Sequence, residues 1–216
     1  MTELYRLQRA QRVADLDSER LDAIELGVKA SWSAFDASLA AFAMDKHNVI
    51  LRETNGFNVG NGRTSHRGLE YELHWRPLDR IEVTAAGTFA RHRYEFTRNV
   101  EGGERIEDGN DVDTAPRQLH RAAIAWRPSA TWAFETEWLT VGEYWLDAAN
   151  AHRYRGHELR HLRGRWHPTR EWALTLRLNN ALDRDYADRA DYAFGTYRYF
   201  PGRGRALFAE IAWQRD

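Results

Sequence analysis

Residues 197–213 read YRYFPGRGRALFAEIAW, and the second half of that stretch sets the fold. Leu207, Ala209, Ile211 and Trp213 fall on every second position, with Phe208, Glu210 and Ala212 between them. Successive side chains of a strand point to opposite faces, so a period of two puts those four apolar residues on one face. The same stripe recurs upstream: Ile24, Leu26, Val28, Ala30 and Trp32; Leu69, Tyr71, Leu73 and Trp75; Ala122, Ile124 and Trp126; Leu162, Gly164 and Trp166. Every stripe finishes on a tryptophan, and a short turn or the end of the sequence follows. Three of the turns share a Trp-x-Pro start, in WRPLDRIEV, WRPSATWAF and WHPTREWAL. Proline presets φ for the opening of a turn. The turn after Trp32, SAFD, is equally short.

This pattern predicts nine antiparallel strands at 21–32, 35–51, 65–76, 80–97, 116–127, 131–146, 156–167, 171–181 and 204–214. The other connections, 52–64, 98–115, 147–155 and 182–203, are longer and rich in Gly, Asn and Asp. Short turns therefore lie at one end of the strands and long loops at the other. A soluble β-sandwich binding module also gives alternation and short hairpins. A sandwich core has no reason to hold its tryptophans at one height on five strands. A bilayer does, because an indole settles at the headgroup level with its ring in the apolar zone and its N–H in water. Ten residues at about 3.3 Å, tilted about 45°, rise roughly 23 Å, close to the apolar band of an outer-membrane barrel. The polar stripe then faces a wet lumen. The expected class is all-β, an antiparallel transmembrane β-barrel.

Composition agrees with this. The chain has 216 residues, with 31 Lys+Arg against 32 Asp+Glu, so no basic footprint for nucleic acid exists. Its average is hydrophilic, yet it carries 9 Trp, 9 Tyr and 9 Phe, too many aromatics for a disordered segment. With no cysteine there is neither a disulfide framework nor a thiolate site. The opening MTELYRLQRAQRVADLDSER has no apolar run of the signal-peptide kind. No stretch approaches the roughly 18 apolar residues of a membrane helix.

Five segments carry a family resemblance. LYRLQRAQRVADLDSERLDAIELGVKASW, with Glu25 and Gly27, resembles a mid-barrel strand of the TonB-dependent outer-membrane receptors. AFAMDKHNVI is similar to their next strand. SHRGLEYEL has their Gly-x-Glu at Gly68 and Glu70. NALDRDYAD has the Asn-x-x-Asp-x-x-Tyr segment at Asn180, Asp183 and Tyr186. YRYFPGRGRALFAEIAW resembles the last extracellular loop and closing strand. The resemblance implies that the chain is the C-terminal portion of such a barrel, residues 1–20 being a lead-in loop and 21–214 strands and loops. Family members have about 22 strands. They also have an N-terminal plug and a TonB-binding segment, which this sequence does not show, so the resemblance implies a fragment whose missing N-terminal half carries both.

The function so implied is energised uptake of an iron–siderophore, or of a similar large nutrient such as cobalamin or haem. The implied location is the outer membrane of a Gram-negative bacterium. The implied partners are outer-membrane lipid, the siderophore-like ligand, TonB through the missing half, and the outer-membrane barrel assembly machinery, which reads a final strand ending in an aromatic residue. Trp213 matches that residue, although Gln214, Arg215 and Asp216 follow it. Arg203 and Arg205 would meet anionic headgroups. Transport breaks no bond, so neither an enzyme nor catalytic residues, cofactor or resident metal is expected. Ligand contacts would come from the outer loops and upper lumen, with Tyr144, Trp145, Tyr154, Tyr192 and Tyr197 as the candidates.

Other motifs read as ordinary wall. HELRH at 157–161 spells a zinc-hydrolase signature, but that motif needs a helix to bring both imidazoles to one metal. On a strand, His157 and His161 lie about 13 Å apart. His66, His74, His92, His120 and His152 show no ligand spacing and are expected to face the lumen or loops. ARHRYEFTR at 90–98 reads as wall rising into a loop. EGGERIEDGNDVD at 101–113 lacks the spacing of a calcium loop and reads as a solvated surface loop. GNGRTSHRG has no following helix to make a phosphate cradle. Glu70 with Glu72, and Glu135 with Glu137, fall on polar stripes and are expected to line the lumen rather than flank a glycosidic bond.

Overall fold

The computed structural model describes residues 17–52, 58–100 and 104–215. Its strands are β1 Arg20–Trp32, β2 Phe35–Arg52, β3 Asn58–Leu78, β4 Ile81–Tyr94, β5 Arg98–Asn99, β6 Arg105–Ile106, β7 Gln118–Trp126, β8 Trp132–Val141, β9 Tyr144–Trp145, β10 Arg153–Tyr154, β11 His157–Trp166, β12 Trp172–Asn179, β13 Ala187–Ala193, β14 Thr196–Pro201 and β15 Ala206–Trp213. Nine of them form one sheet in the order β1-β2-β3-β4-β7-β8-β11-β12-β15, and every neighbouring pair is antiparallel. The remaining six make three two-stranded hairpins in the long connections. Among the described residues β1 and β15 each have a partner on one side only. The sheet is an open wall.

Register places the tryptophans in one row. Trp32 opposes Phe35, which opposes Trp75; Trp126 opposes Phe134; Trp132 opposes Trp166; Trp172 opposes Trp213. Neighbouring rings touch: Trp132 and Trp166 stack with centroids 5.5 Å apart, and Trp126 and Phe134 lie 5.7 Å apart. The row and the stripes above it are exposed, Ile24 at 73%, Leu26 at 79% and Ile211 at 69%. Among the described residues no second sheet covers them, which overturns the sandwich. Each such side chain gains about 1.5–3 kcal/mol on leaving water for an apolar medium. A face this apolar therefore calls for lipid rather than solvent.

The opposite face is concave and polar. Several residues there are buried, among them Ala90, Ala123, Leu159 and Thr175. Its charges pair across strands: Arg121 with Glu137, Arg163 with Glu135, Arg177 with Glu210, and Arg127 with Glu82. Glu135 and Glu137 thus line the lumen as expected. His66 and His92 also face each other there, Nδ1 to Nδ1 at 2.8 Å. His120 departs from expectation. It sits on the lipid-side face, its ring 4.4 Å from Phe89 and its Nδ1 3.2 Å from the Tyr71 hydroxyl, in space left by Gly87.

Two boundaries differ from the sequence reading. Of the expected loop at 52–64, the described residues 52 and 58–64 are strand, because β2 and β3 stay paired out to Arg52 and Asn58 through register shifts near Val49, and 53–57 lie outside the described residues. Asn48 and Asn61, both at positive φ, absorb those shifts, and no hydrophobic period marks them. The strand expected to run to 146 breaks at Gly142, and Tyr144–Trp145 pair with Arg153–Tyr154 instead.

Candidate ligand-binding site

Three long connections cluster at the end of the wall remote from the tryptophan row. The first holds β5 and β6, the second β9 and β10, the third β13 and β14. They fold against one another. Ile106 and Ala148 are buried with Tyr94 and Phe96, so the acidic segment from 104 to 113 is packed rather than merely solvated; 101–103 lie outside the described residues. Asn150 ties the first two connections, donating to the Asp111 carbonyl at 2.8 Å and accepting from the Asp111 N–H at 2.8 Å. Asp147 accepts from the Ala151 and His152 N–H groups at 3.0 Å each, and its second oxygen lies 2.8 Å from His152 Nδ1. The second and third connections share a core of Tyr144, Leu146, Ala187 and Ala190, and the Tyr192 N–H donates to the Leu146 carbonyl at 3.0 Å.

Four of the five candidate residues meet there. Tyr144 is buried, and its hydroxyl accepts from the Ala190 N–H at 3.1 Å. Tyr154 lies 5.2 Å from Tyr144; its hydroxyl accepts from the Ala187 N–H at 3.1 Å and sits 2.9 Å from His157 Nδ1. Tyr192 stacks on His152 at 3.5 Å, and Tyr197 meets both edge-on. Trp145 stands apart. It follows Tyr144 directly and so points the other way, with the Arg153 guanidinium 5.9 Å from its ring. Tyr144 and Tyr154 are therefore partly struts for the β13–β14 hairpin, whereas Tyr197 is open to solvent.

Several neighbours escaped the sequence reading. Tyr199 stacks on Tyr197 at 6.1 Å, the alternation Tyr197-x-Tyr199 being the signal that was present. Asp191 is fully buried between Arg189 at 3.1 Å and Arg198 at 2.6 Å, a pairing that only the hairpin creates. Beneath the hairpin, a concavity of about 1030 Å³ on the lumen side is lined by Tyr144, His157, His161, Tyr186, Arg189 and Arg121. Burial pushes the Tyr144 and Tyr186 phenols above their ordinary pKa, so both remain neutral. Aromatic faces, neutral phenols and guanidiniums around a wet hollow suit a large ligand with aromatic and anionic parts. Among the described residues no three His, Asp or Glu side chains converge on a metal-sized centre. His157 and His161 keep separate partners, His161 Nδ1 accepting from the Asn180 N–H at 3.1 Å.

The family model described as "TonB dependent receptor-like, beta-barrel" matches residues 1–181. The chain belongs to this TonB-dependent receptor family. Three solved structures show the same wall. The siderophore receptor PiuA from Acinetobacter baumannii is 17% identical with a TM-score of 0.74, over 89% of this chain and 28% of that one. The ferric citrate transporter FecA is 21% identical at TM-score 0.74, over 90% and 31%. The copper transporter OprC is 14% identical at TM-score 0.72, over 93% and 32%. This receptor chain thus spans about a third of the length of these structures or less. The family comprises receptors and transporters of the Gram-negative outer membrane, not enzymes, which removes the hydrolase reading of HELRH.

Within this receptor wall the Asn180-x-x-Asp183-x-x-Tyr186 segment has a mechanical part. Asn180 is 2% exposed and adopts positive φ. Its Nδ2 donates to the Arg184 carbonyl at 2.9 Å and the Arg203 carbonyl at 3.3 Å, and its Oδ1 accepts from the Arg184 N–H at 2.9 Å. Asp183 Oδ1 accepts from the Arg205 N–H at 2.9 Å, and the Tyr186 carbonyl from the Gly202 N–H at 2.9 Å. The motif closes the base of the last loop. Arg203 lies over the Phe208 ring on the lumen side, 5.9 Å away, and the Arg205 side chain pairs with Asp183 at 3.4 Å.

Proposed function

We propose that this chain, residues 1–216, is the C-terminal stretch of the barrel wall of a TonB-dependent outer-membrane receptor that takes up an iron–siderophore or a comparable large nutrient. The single observation that carries this is an open nine-stranded wall with its tryptophan row turned outward. With an odd number of strands, β1 and β15 run in the same direction. Closing an all-antiparallel barrel between them requires a further odd number of strands. Left open in lipid, each edge bares N–H and C=O groups at several kcal/mol apiece. The complement is the N-terminal part of the receptor, carrying the plug and the contact with TonB. Trp213 on β15 is the terminal aromatic that the barrel assembly machinery would read.

Ligand capture belongs to the loop cluster. Tyr192 and Tyr197 offer rings beside His152, Tyr199 extends the surface, and Arg189 brings charge to the rim of the hollow. Tyr144 and Tyr154 hold the hairpin in place, and Trp145 contributes from the neighbouring face. The test is a fluorescence titration of the membrane-inserted receptor with ferric catecholate, ferric hydroxamate, cobalamin and haem. One of these should quench saturably, and Tyr197→Ala should weaken it about tenfold, as loss of one stacking ring predicts. Saturable binding that Tyr192→Ala and Tyr197→Ala both leave unchanged would remove the cluster from the site.

A further inference from the structure

Away from the loop cluster, the lumen face carries a row of donor side chains that nutrient capture does not use. Register sets Met44 of β2 opposite His66 of β3, and His66 opposite His92 of β4. All three fall on the lumen face: their numbers are even, on strands whose outward residues, Leu39, Leu69 and Phe89 among them, are odd. All three are half-buried.

The imidazoles converge. Nδ1 of His66 lies 2.8 Å from Nδ1 of His92, with the rings tilted at 54° and their centroids 5.0 Å apart. The two residues are 26 apart in the sequence, so no motif announces them. The far nitrogen of His66 is engaged elsewhere, Nε2 lying 2.9 Å from Oγ1 of Thr64, which is 3% exposed. A neutral imidazole has a single N–H. With that proton on Nε2 and donated to Thr64, Nδ1 of His66 presents a lone pair. A polar partner on the far nitrogen is what orients a metal-binding imidazole.

We propose that His66 and His92 hold a divalent ion of the copper or nickel type through their Nδ1 atoms, with the Met44 thioether as a weaker third donor. The spacing selects the metal. At a metal–nitrogen distance of about 2.0 Å, nitrogens 2.8 Å apart subtend about 90°. Tetrahedral ligands would stand about 3.3 Å apart. Right-angled nitrogen donors suit the square-planar or tetragonal sites of Cu(II) and Ni(II), and a long axial thioether accompanies copper in such sets. Without the ion, His92 Nδ1–H donates to His66 Nδ1. With it, that proton passes to His92 Nε2, and the pair gains and loses none. The remaining coordination positions open on the lumen, where water fills them. Lys46 lies one pair further out on the same face, opposite Thr64, and its flexible stem lets the ammonium swing clear of a cation. The site needs only β3 and β4 paired in this register, so it stands or falls apart from the uptake of any nutrient.

The test is a titration of the receptor in detergent micelles with Cu(II), in a buffer that does not chelate, followed by electron paramagnetic resonance. One ion should bind per chain with a tetragonal spectrum, and spin-echo modulation should count two imidazoles. His66→Gln and His92→Gln should each weaken binding by about a hundredfold or more, the upper end of what even an outer-sphere partner is worth. Thr64→Val should weaken it about tenfold by freeing the His66 ring. Zn(II) should bind about tenfold more weakly than Cu(II), or weaker still. A count of one imidazole in the wild-type protein would overturn the proposal, and so would Zn(II) binding as tight as that of Cu(II). An affinity and spectrum unaltered in both histidine variants would do so too, by placing the ion on other histidines. The imidazole count needs no variant, so it decides the matter even where a substitution disturbs folding.

Discussion

Asn180→Ala should loosen the last loop without dissolving the wall. The side chain makes three hydrogen bonds from a nearly inaccessible position, to the Arg184 carbonyl, the Arg203 carbonyl and the Arg184 N–H. At about 1 kcal/mol net apiece their loss amounts to roughly 3 kcal/mol. Alanine at positive φ adds a further fraction, since asparagine tolerates that region and alanine does not. Every 1.4 kcal/mol is about tenfold, so local opening should become roughly a hundredfold more frequent or a little more. The readout is amide hydrogen exchange at Arg184, Gly202 and Arg205, whose N–H groups are bonded within the clamp. Exchange in the strand interiors of β8 and β11 should stay unchanged, because their ladders do not pass through Asn180. An Arg184 amide that speeds up less than threefold would show that the motif does not hold the loop base.

Three further outcomes follow from the same structure. Gly156→Ala should cost several kcal/mol and Gly195→Ala only about 1. Both glycines sit at positive φ, but a Cβ at Gly156 would lie 2.2 Å from the Val141 carbonyl oxygen whereas none lies within 4 Å at Gly195; equal midpoints in chemical unfolding would contradict this. Burial holds the Asp113 carboxyl above its ordinary value of 3.8, despite the bond it accepts from the Tyr94 hydroxyl. The fold thus favours the protonated form, so this contribution to loop stability is full below pH 3.8 and lost as pH rises through the raised value. Asp113→Asn should abolish that pH dependence of exchange at the Thr114 amide, which donates to the Trp145 carbonyl; an unaltered profile would refute it. Lipids brominated high on the acyl chain should quench the indole row more than lipids brominated near the terminal methyl, and absence of quenching by either would place that row away from the bilayer.

Much of the wall is legible because each strand carries its own instruction. In β1, β3, β7, β11 and β15 the alternation names the face, and the terminal tryptophan names the height. The loops carry no such period. The hairpins β9–β10 and β13–β14 pair locally, but they are held against each other by residues far apart in the chain, Tyr144 and Leu146 packing on Ala187 and Ala190. Tyr144 and Tyr154 looked like ligand contacts from their aromatic character. That their hydroxyls accept the Ala190 and Ala187 N–H groups follows only from two loops folding together.

The amino-acid order alone thus determined strand periodicity, the outward apolar face and the family, because these depend on side-chain chemistry at a spacing of two. Tertiary structure decided which residues share the loop cluster, that Asn180 is a clamp, and that His120 lies on the lipid side. Those facts are matters of register between strands, and a register exists only once two strands have paired.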